Sequence, residues 1–259
     1  MSSTLIIFIF VLITLILYIK YQNYENYLLD PFITIYPQGD LNNRLEIILA
    51  YLYKANTENK KLRVIWIKDD ECPENFNNLF ESINNIQFIY TDTIPDNQID
   101  FITKFTPEIN YIKYTYYKYL KPIASIQDNI NNVKNKLISN NSEYVSCYIK
   151  KADIYTIKKY FGNNYVINYN EIYISFINNY PKNLNIYLVT DDENTEEQFL
   201  NVFGNRLIYR KILKINNVIK YSPQDLVEDL YLCANSTYFK GTPWNSETHT
   251  INELRKIIN

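Results

Sequence analysis

The chain has 259 residues, 47% of them hydrophobic and 16% aromatic, with 26 Lys and Arg against 28 Asp and Glu. At roughly 100–200 residues per domain, that length allows one large α/β domain or two compact halves, with enough apolar residues for a sizeable core. The formal net charge is −2 and the cations are scattered, so the basic run that marks a nucleic-acid binder is missing and that class is set aside. Cys72, Cys147 and Cys233 are too far apart for a C-x-x-C metal signature. Cys147 and Cys233 lie in apolar runs, where a buried, inert thiol is the ordinary reading.

In chain order, the first signal is Leu5–Ile19, LIIFIFVLITLILYI, apolar except for Thr14 and with no charge before Lys20. Extended from Ser2 to Tyr21 it reaches the about 20 residues a spanning helix needs. No basic stretch precedes it and no small-x-small cleavage site follows, so the expectation is an uncleaved single-pass anchor over residues 1–21, not a signal peptide. Lys20 on the carboxyl side favours a cytoplasmic body, whereas the sequons at Asn140 and Asn235 need a luminal one; the side of the membrane stays open. Residues 22–31 read as a polar stem.

The body opens with an extended run, Phe32–Tyr36, and a turn over Pro37–Asp40. Leu45, Ile48, Leu49 and Leu52 then follow at helical spacing. Leu62–Ile67 is a second strand, Phe76–Phe80 a short helix and Ile86–Tyr90 a third strand, a βαβαβ start to a parallel sheet. Asp92–Ser142 reads as a bridge, with a Tyr-rich stretch (Tyr111–Tyr119) and a polar helix (Ile126–Ile138). A second half follows from residue 143. Its strands are Tyr144–Lys150, Asn185–Thr190, Arg206–Lys211 and Ser236–Gly241. Its helices are Glu171–Asn179, Glu193–Phe203 closed by Gly204, Ser222–Ala234 with Ser at the cap and Pro at the first turn, and a final one to Ile258. The domains are therefore an amino-terminal α/β half over 32–142 and a Rossmann-like half over 143–259. Ligands of such sheets bind beyond the carboxyl ends of the strands.

Four strand-end segments carry candidate chemistry. Gly39-Asp40-Leu41-Asn42-Asn43-Arg44-Leu45 opens a helix whose backbone N–H groups attract anions, with Arg44 as a forked donor; on spacing alone it is equally an ordinary βα loop. Tyr148-Ile149-Lys150-Lys151-Ala152-Asp153 ends a strand, and by itself the lysine pair is a solvated loop. Thr190-Asp191-Asp192 is by itself a helix cap or a metal-binding pair. Asp225–Ala234, a strand and then Gly241-Thr242-Pro243-Trp244-Asn245-Ser246 end in a Pro-Trp turn at a helix start. His249 is the only histidine, so no Ser/His/Asp or Cys/His arrangement is built without it, and it is given no role.

Taken together over residues 33–256, these segments resemble the nodulation-type fucosyltransferases and their α-1,6- and protein O-fucosyltransferase relatives. The matching pieces are Gly39–Leu45 for G-x-L-x-N-R-L, the strand Val64-Ile65-Trp66, and Lys68–Phe80 for K-D-x-E-C-x-x-x-F-x-x-L-F. Then come Lys150-Lys151-x-Asp153 for R-R-x-D, Thr190-Asp191-Asp192, and Gly241-Thr242-Pro243-Trp244 for G-T/S-P-W. The resemblance implies an α/β fold of the GT-B kind, with two Rossmann-like halves. It implies inverting, metal-independent transfer from GDP-fucose or a close relative to a glycan or protein acceptor, without a cofactor. It places Lys150 and Asn43 as catalytic. Gly39, Arg44, Tyr148, Lys151, Asp153, Asp191, Asp192, Asp229, Thr242 and Ser246 would contact the donor. Asn42 stands where the family has a second Gly, and Asn tolerates positive φ better than most residues. Tyr148 replaces His, and Lys150 and Lys151 replace Arg, which keeps charge but loses the fork. Asn245 and Glu247 replace Ser and Phe, and Glu247 brings negative charge to where phosphates should sit. These departures motivate the rival reading of a catalytically silent, membrane-anchored binding protein.

Overall fold

The computed structural model describes residues 12–20, 31–93, 100–102, 114–138, 142–151, 169–211, 214–215, 218–219, 221–243 and 245–258. Two four-stranded parallel sheets organise them. The first contains β1 (Phe32–Pro37), β2 (Lys61–Trp66), β3 (Ile86–Tyr90) and β4 (Asp100–Ile102) in the order β3-β2-β1-β4, with α1 (Leu41–Thr57) between β1 and β2. After a 3-10 turn over Tyr114–Tyr119 and helix α2 (Ala124–Leu137), the second sheet begins with β5 (Tyr144–Ile149). Helices α3 (Tyr169–Asn178), α4 (Glu193–Phe203), α5 (Pro223–Ala234) and α6 (Ser246–Ile258) accompany β6 (Asn185–Thr190), β7 (Leu207–Tyr209), a short ribbon of β8 (Lys214–Ile215) and β9 (Val218–Ile219), and β10 (Tyr238–Gly241). The order is β10-β5-β6-β7, all parallel.

The period-2 alternation of a strand explains how β5 serves two layers. Val145, Cys147 and Ile149 join a core with Ile174, Ile177 and Phe199. Tyr144 and Tyr148 point the other way, into a larger core with Leu226, Val227 and Leu230 of α5. That same core continues through Leu45, Ile48 and Leu52 of α1 to Ile33, Val64 and Trp66 of the first sheet. Helices make further contacts between distant parts of the chain. On α2, Asn129 donates to Glu228 of α5 over 2.9 Å and Lys134 donates to Asn235 over 2.9 Å. At the other end of the chain, α6 packs against α1 and the Tyr114–Tyr119 turn.

Several boundaries differ from the sequence reading. The strand expected over Arg206–Lys211 shortens to β7, because Gly204–Arg206 form a 3-10 turn that completes α4. β4 lay hidden in the bridge: three residues are too short a run to show alternation, and pairing with β1 makes them a strand. Residues 12–20 are helical, while most of the anchor expected over 1–21 lies outside the described residues. Among those described, no helix is long and apolar enough to cross a membrane. Asn235, one of the two sequons, turns its amide nitrogen inward to the Tyr231 carbonyl at 2.8 Å; Asn140 lies outside the described residues. All three thiols are free and buried, and burial pushes each up, Cys72 to about 11.

Candidate active site

In each sheet the strand order reverses at one place, between β1 and β4 in the first and between β5 and β10 in the second. Beyond the carboxyl ends of strands at such a switch point, parallel α/β sheets bind their ligands. The loop after β1 carries Gly39 and leads to Asn43; the segments after β5 and β10 carry Lys150, Thr242 and Ser246. The two regions are tied together. Thr250 Oγ1 of α6 donates to Asn42 Oδ1 of α1 at 2.8 Å, both side chains buried.

At the first switch point, Gly39 takes φ 95°, a conformation a side chain disfavours. Asp40 then caps α1, and its Oδ1 accepts both the backbone N–H of Asn43 at 2.9 Å and its Nδ2 at 2.7 Å. Asn43 is thus fixed at the first turn, half-buried. Asn42 lies inside α1 and is not among the positive-φ residues, so it does not reproduce a glycine turn; its amide makes the link to α6 instead. Arg44 is 0% exposed. Its Nε donates to the Gly39 carbonyl at 2.7 Å, Nη1 to the Ile67 carbonyl at 2.6 Å, and Nη2 pairs with Asp69, with the guanidinium 5.1 Å from the Trp66 ring. The Arg44 guanidinium thus fastens the β1–α1 turn to the end of β2.

At the second switch point, Lys150 continues the β5 face that presents Tyr144 and Tyr148. Its backbone N–H donates to Thr242 Oγ1 at 2.9 Å, and its Nζ lies 5.0 Å from the Tyr221 ring and 5.6 Å from the Tyr148 ring. Thr242 is fully buried; its N–H and hydroxyl both donate to the Tyr148 carbonyl. It stitches β10 to β5 and does not present a hydroxyl to the crevice. Tyr148 is likewise fully buried, with a hydroxyl that has no hydrogen-bond partner among the described residues. Lys151 donates its N–H to Asp191 at 2.7 Å and pairs through Nζ with Asp192 at 3.1 Å. Asp192 also caps α4 through Thr195. Burial acts to raise its carboxyl, but Thr195 and Lys151 outweigh that and hold it below the usual range. Of the acidic pair, Asp192 caps the helix and Asp191 accepts from the Lys151 backbone. Among the described residues no group of three or more His, Cys, Asp or Glu side chains is placed to hold a metal ion. Asp153 lies outside the described residues.

Asp229, also expected at the donor, is fully buried on α5. Its oxygens accept from the hydroxyls of Tyr187 and Tyr221, each at 2.5 Å, with Arg210 at 3.5 Å. Burial pushes its carboxyl above the ordinary value despite these partners. Asp229 thus ties α5 to Tyr187, Tyr221 and Arg210. Arg210, which the sequence reading passed over, also pairs with Asp225 and Glu228 at 2.5 Å each. Burial alone would lower its pKa, and Asp229 and Glu228 more than reverse that. Three carboxylates spaced over one and a half turns of an apolar helix were the available signal, since buried charge needs a counter-charge.

The start of α6 holds the last expected contact. Ser246 Oγ donates to Glu247 Oε2 at 3.0 Å, and Asn245 Nδ2 donates to the same oxygen at 2.7 Å. A carboxylate of the chain itself therefore occupies donors at a helix N-terminus, where an anion is favoured. Gly241 is required nearby: a Cβ there would stand 2.4 Å from the Thr248 side chain.

Glu46, one turn beyond Asn42, also escaped the sequence reading. Burial, with Asp40 and Glu247 nearby, raises its carboxyl from 4.5 to about 7, with the nearby Asn42 amide acting in the opposite direction. Between those two values the folded chain holds a proton that the unfolded chain has released. Stability is therefore expected to fall as pH rises from about 4.5 to about 7 and to level off above it. Glu46→Gln, which cannot ionise, should flatten that slope in urea midpoints measured across the window; an unchanged slope would remove Glu46 as its source.

No protein-family model matches the chain, and no curated protein matches it. Among solved structures it is similar to the NodZ α-1,6-fucosyltransferase co-crystallized with GDP, with 12% identity over 86% of this chain and 92% of that one, at a TM-score of 0.59. The fucosyltransferase NodZ from Bradyrhizobium gives 12% identity over the same shares, at a TM-score of 0.57. POFUT1 in complex with GDP gives 12% over 88% of this chain and 95% of that one, also at 0.57. The two parallel sheets with their paired switch points are thus a fucosyltransferase-like fold.

Proposed function

We propose that the chain is a glycosyltransferase that moves fucose, or a closely related sugar, from a GDP-sugar to a glycan or protein acceptor. The observation that carries this reading is the Lys150 ammonium at the switch point of the second sheet, with Asn43 fixed at the switch point of the first and the two joined by the Asn42–Thr250 hydrogen bond. In a transfer with oxocarbenium-like charge build-up, Lys150 neutralises the diphosphate as it departs. Asn43 lines the sugar side, and Gly39 lets the backbone approach. The solved relatives carry GDP or GDP-fucose in their crystals, which supports a guanosine diphosphate donor. The test is release of GDP from GDP-fucose by the full chain, with GDP binding followed by thermal shift, since a ligand that binds only the folded state raises apparent stability. No shift with any nucleotide or nucleotide sugar at millimolar concentration would overturn it.

A second reading, a silent binding protein on the same fold, draws on Glu247, which already occupies the Asn245 and Ser246 donors. One substitution tests whether that carboxylate stands where the donor's diphosphate would. If the donor diphosphate competes with this carboxylate, Glu247→Gln tightens GDP binding about ten-fold, the scale of one nearby like charge in a partly screened site. Calorimetric titration reads this directly; unchanged or weaker binding places the diphosphate elsewhere.

A further inference from the structure

The β5 face that ends in Lys150 is backed by a chain of polar contacts that the transfer reaction as described does not use. Tyr221, which directly precedes the Ser222 cap of α5, donates its hydroxyl to Asp229 at 2.5 Å, and its ring lies 5.0 Å from Lys150 Nζ. Asp229 is itself held by Tyr187 of β6 at 2.5 Å and by Arg210, which reaches back to Asp225 and Glu228. One end of this chain is a buried carboxylate with no exposure, held by β6 and by the segments before α5 and after β7. The other end is the flat face of a tyrosine ring, whose quadrupole attracts a cation within about 6 Å. Tyr148 offers a second ring to the same ammonium at 5.6 Å.

We infer that Tyr221 is a positioning residue for Lys150: anchored to Asp229 through its hydroxyl, it holds the ammonium at the mouth of the second switch point. A lysine side chain has several rotatable bonds and no fork, so without a guide it samples many positions. Two ring faces limit that sampling, and among the described residues no carboxylate pairs with the ammonium. The charge is left to meet an incoming anion. Because the hydroxyl hydrogen bond fixes the ring and the ring fixes the lysine, the two links are separable. Tyr221→Phe removes only the first, and Tyr221→Leu removes both.

This inference rests on the proposed transfer only for its functional arm, so the experiment has two readouts. In the full chain with its lysines reductively methylated with ¹³C, the Lys150 resonance is assigned by its absence in Lys150→Arg. Ring faces this near shift it away from the exposed lysines. The expected result is that the shift falls in Tyr221→Leu to the part the Tyr148 ring supplies, and falls less in Tyr221→Phe. A Lys150 resonance already at the exposed-lysine position in the unsubstituted chain, or one unmoved by Tyr221→Leu, overturns the inference whatever the chain binds. The second readout is GDP affinity in a double-mutant cycle. Tyr221→Leu should weaken GDP binding about five-fold, the scale of one cation–π contact, and should have no further effect once Lys150 is alanine. An equal loss in both backgrounds means Tyr221 acts through the fold and not through Lys150, which overturns it. If the unsubstituted chain binds no GDP, the proposed transfer fails, while the resonance still decides whether Tyr221 positions Lys150.

Discussion

Arg44→Ala is expected to destabilise the chain by about 3–5 kcal/mol, from two carbonyls left without a donor and a cavity in the core. The guanidinium is wholly buried and serves three acceptors from two segments, the Gly39 and Ile67 carbonyls and Asp69. Alanine would strand the two carbonyls, each costing about 1–3 kcal/mol where water cannot reach, and would leave a cavity against the Trp66 ring. Asp69, 41% exposed in its side chain, returns to solvent at little cost. Arg44→Lys keeps the charge but cannot reach all three acceptors at once, so it should lie between the two. Urea unfolding is the measurement, with a lowered midpoint and an unchanged slope expected. If Arg44→Ala kept the native midpoint and lost only nucleotide binding, the residue would be a ligand contact after all.

Lys150→Ala is the second large effect, and it should appear in catalysis, not in folding. Its ammonium rests against two rings, so truncation changes stability by only about 1 kcal/mol. Loss of a charge that stabilises a departing diphosphate lowers turnover by about 10²–10³-fold, as for other single transition-state donors. Because the diphosphate gains charge as the bond breaks, kcat falls more than KM rises. Lys150→Arg restores a forked donor and should raise turnover above that of the native chain. Equal turnover in all three chains would move the leaving-group role to another residue.

Much of this architecture was readable from local patterns. The Phe32–Tyr36 run, the i, i+3, i+4, i+7 spacing of Leu45 to Leu52, and the Ser222-Pro223 start each state their structure within one or two turns, and each sits where it was expected. So did the strand-end loops, because strand carboxyl ends follow from the strands themselves. The individual roles were not readable. Arg44, Asp229 and Thr242 have the residue types a phosphate or nucleotide site would use, yet each is buried and turned inward. Tyr221, Arg210 and Glu46 carry no motif, yet they surround the residues that do.

The difference lies in how far apart the partners are along the chain. Helix, strand and cap preferences come from neighbours a few residues away, so composition and spacing declare them. Whether a polar side chain faces solvent or a buried acceptor depends on segments brought together by packing. Asn42 meets Thr250 across 208 residues, and Arg44 meets Ile67 across 23. In an Asn-, Tyr- and Lys-rich chain many side chains compete for each such place, and only the closed fold settles which of them are left facing the crevice.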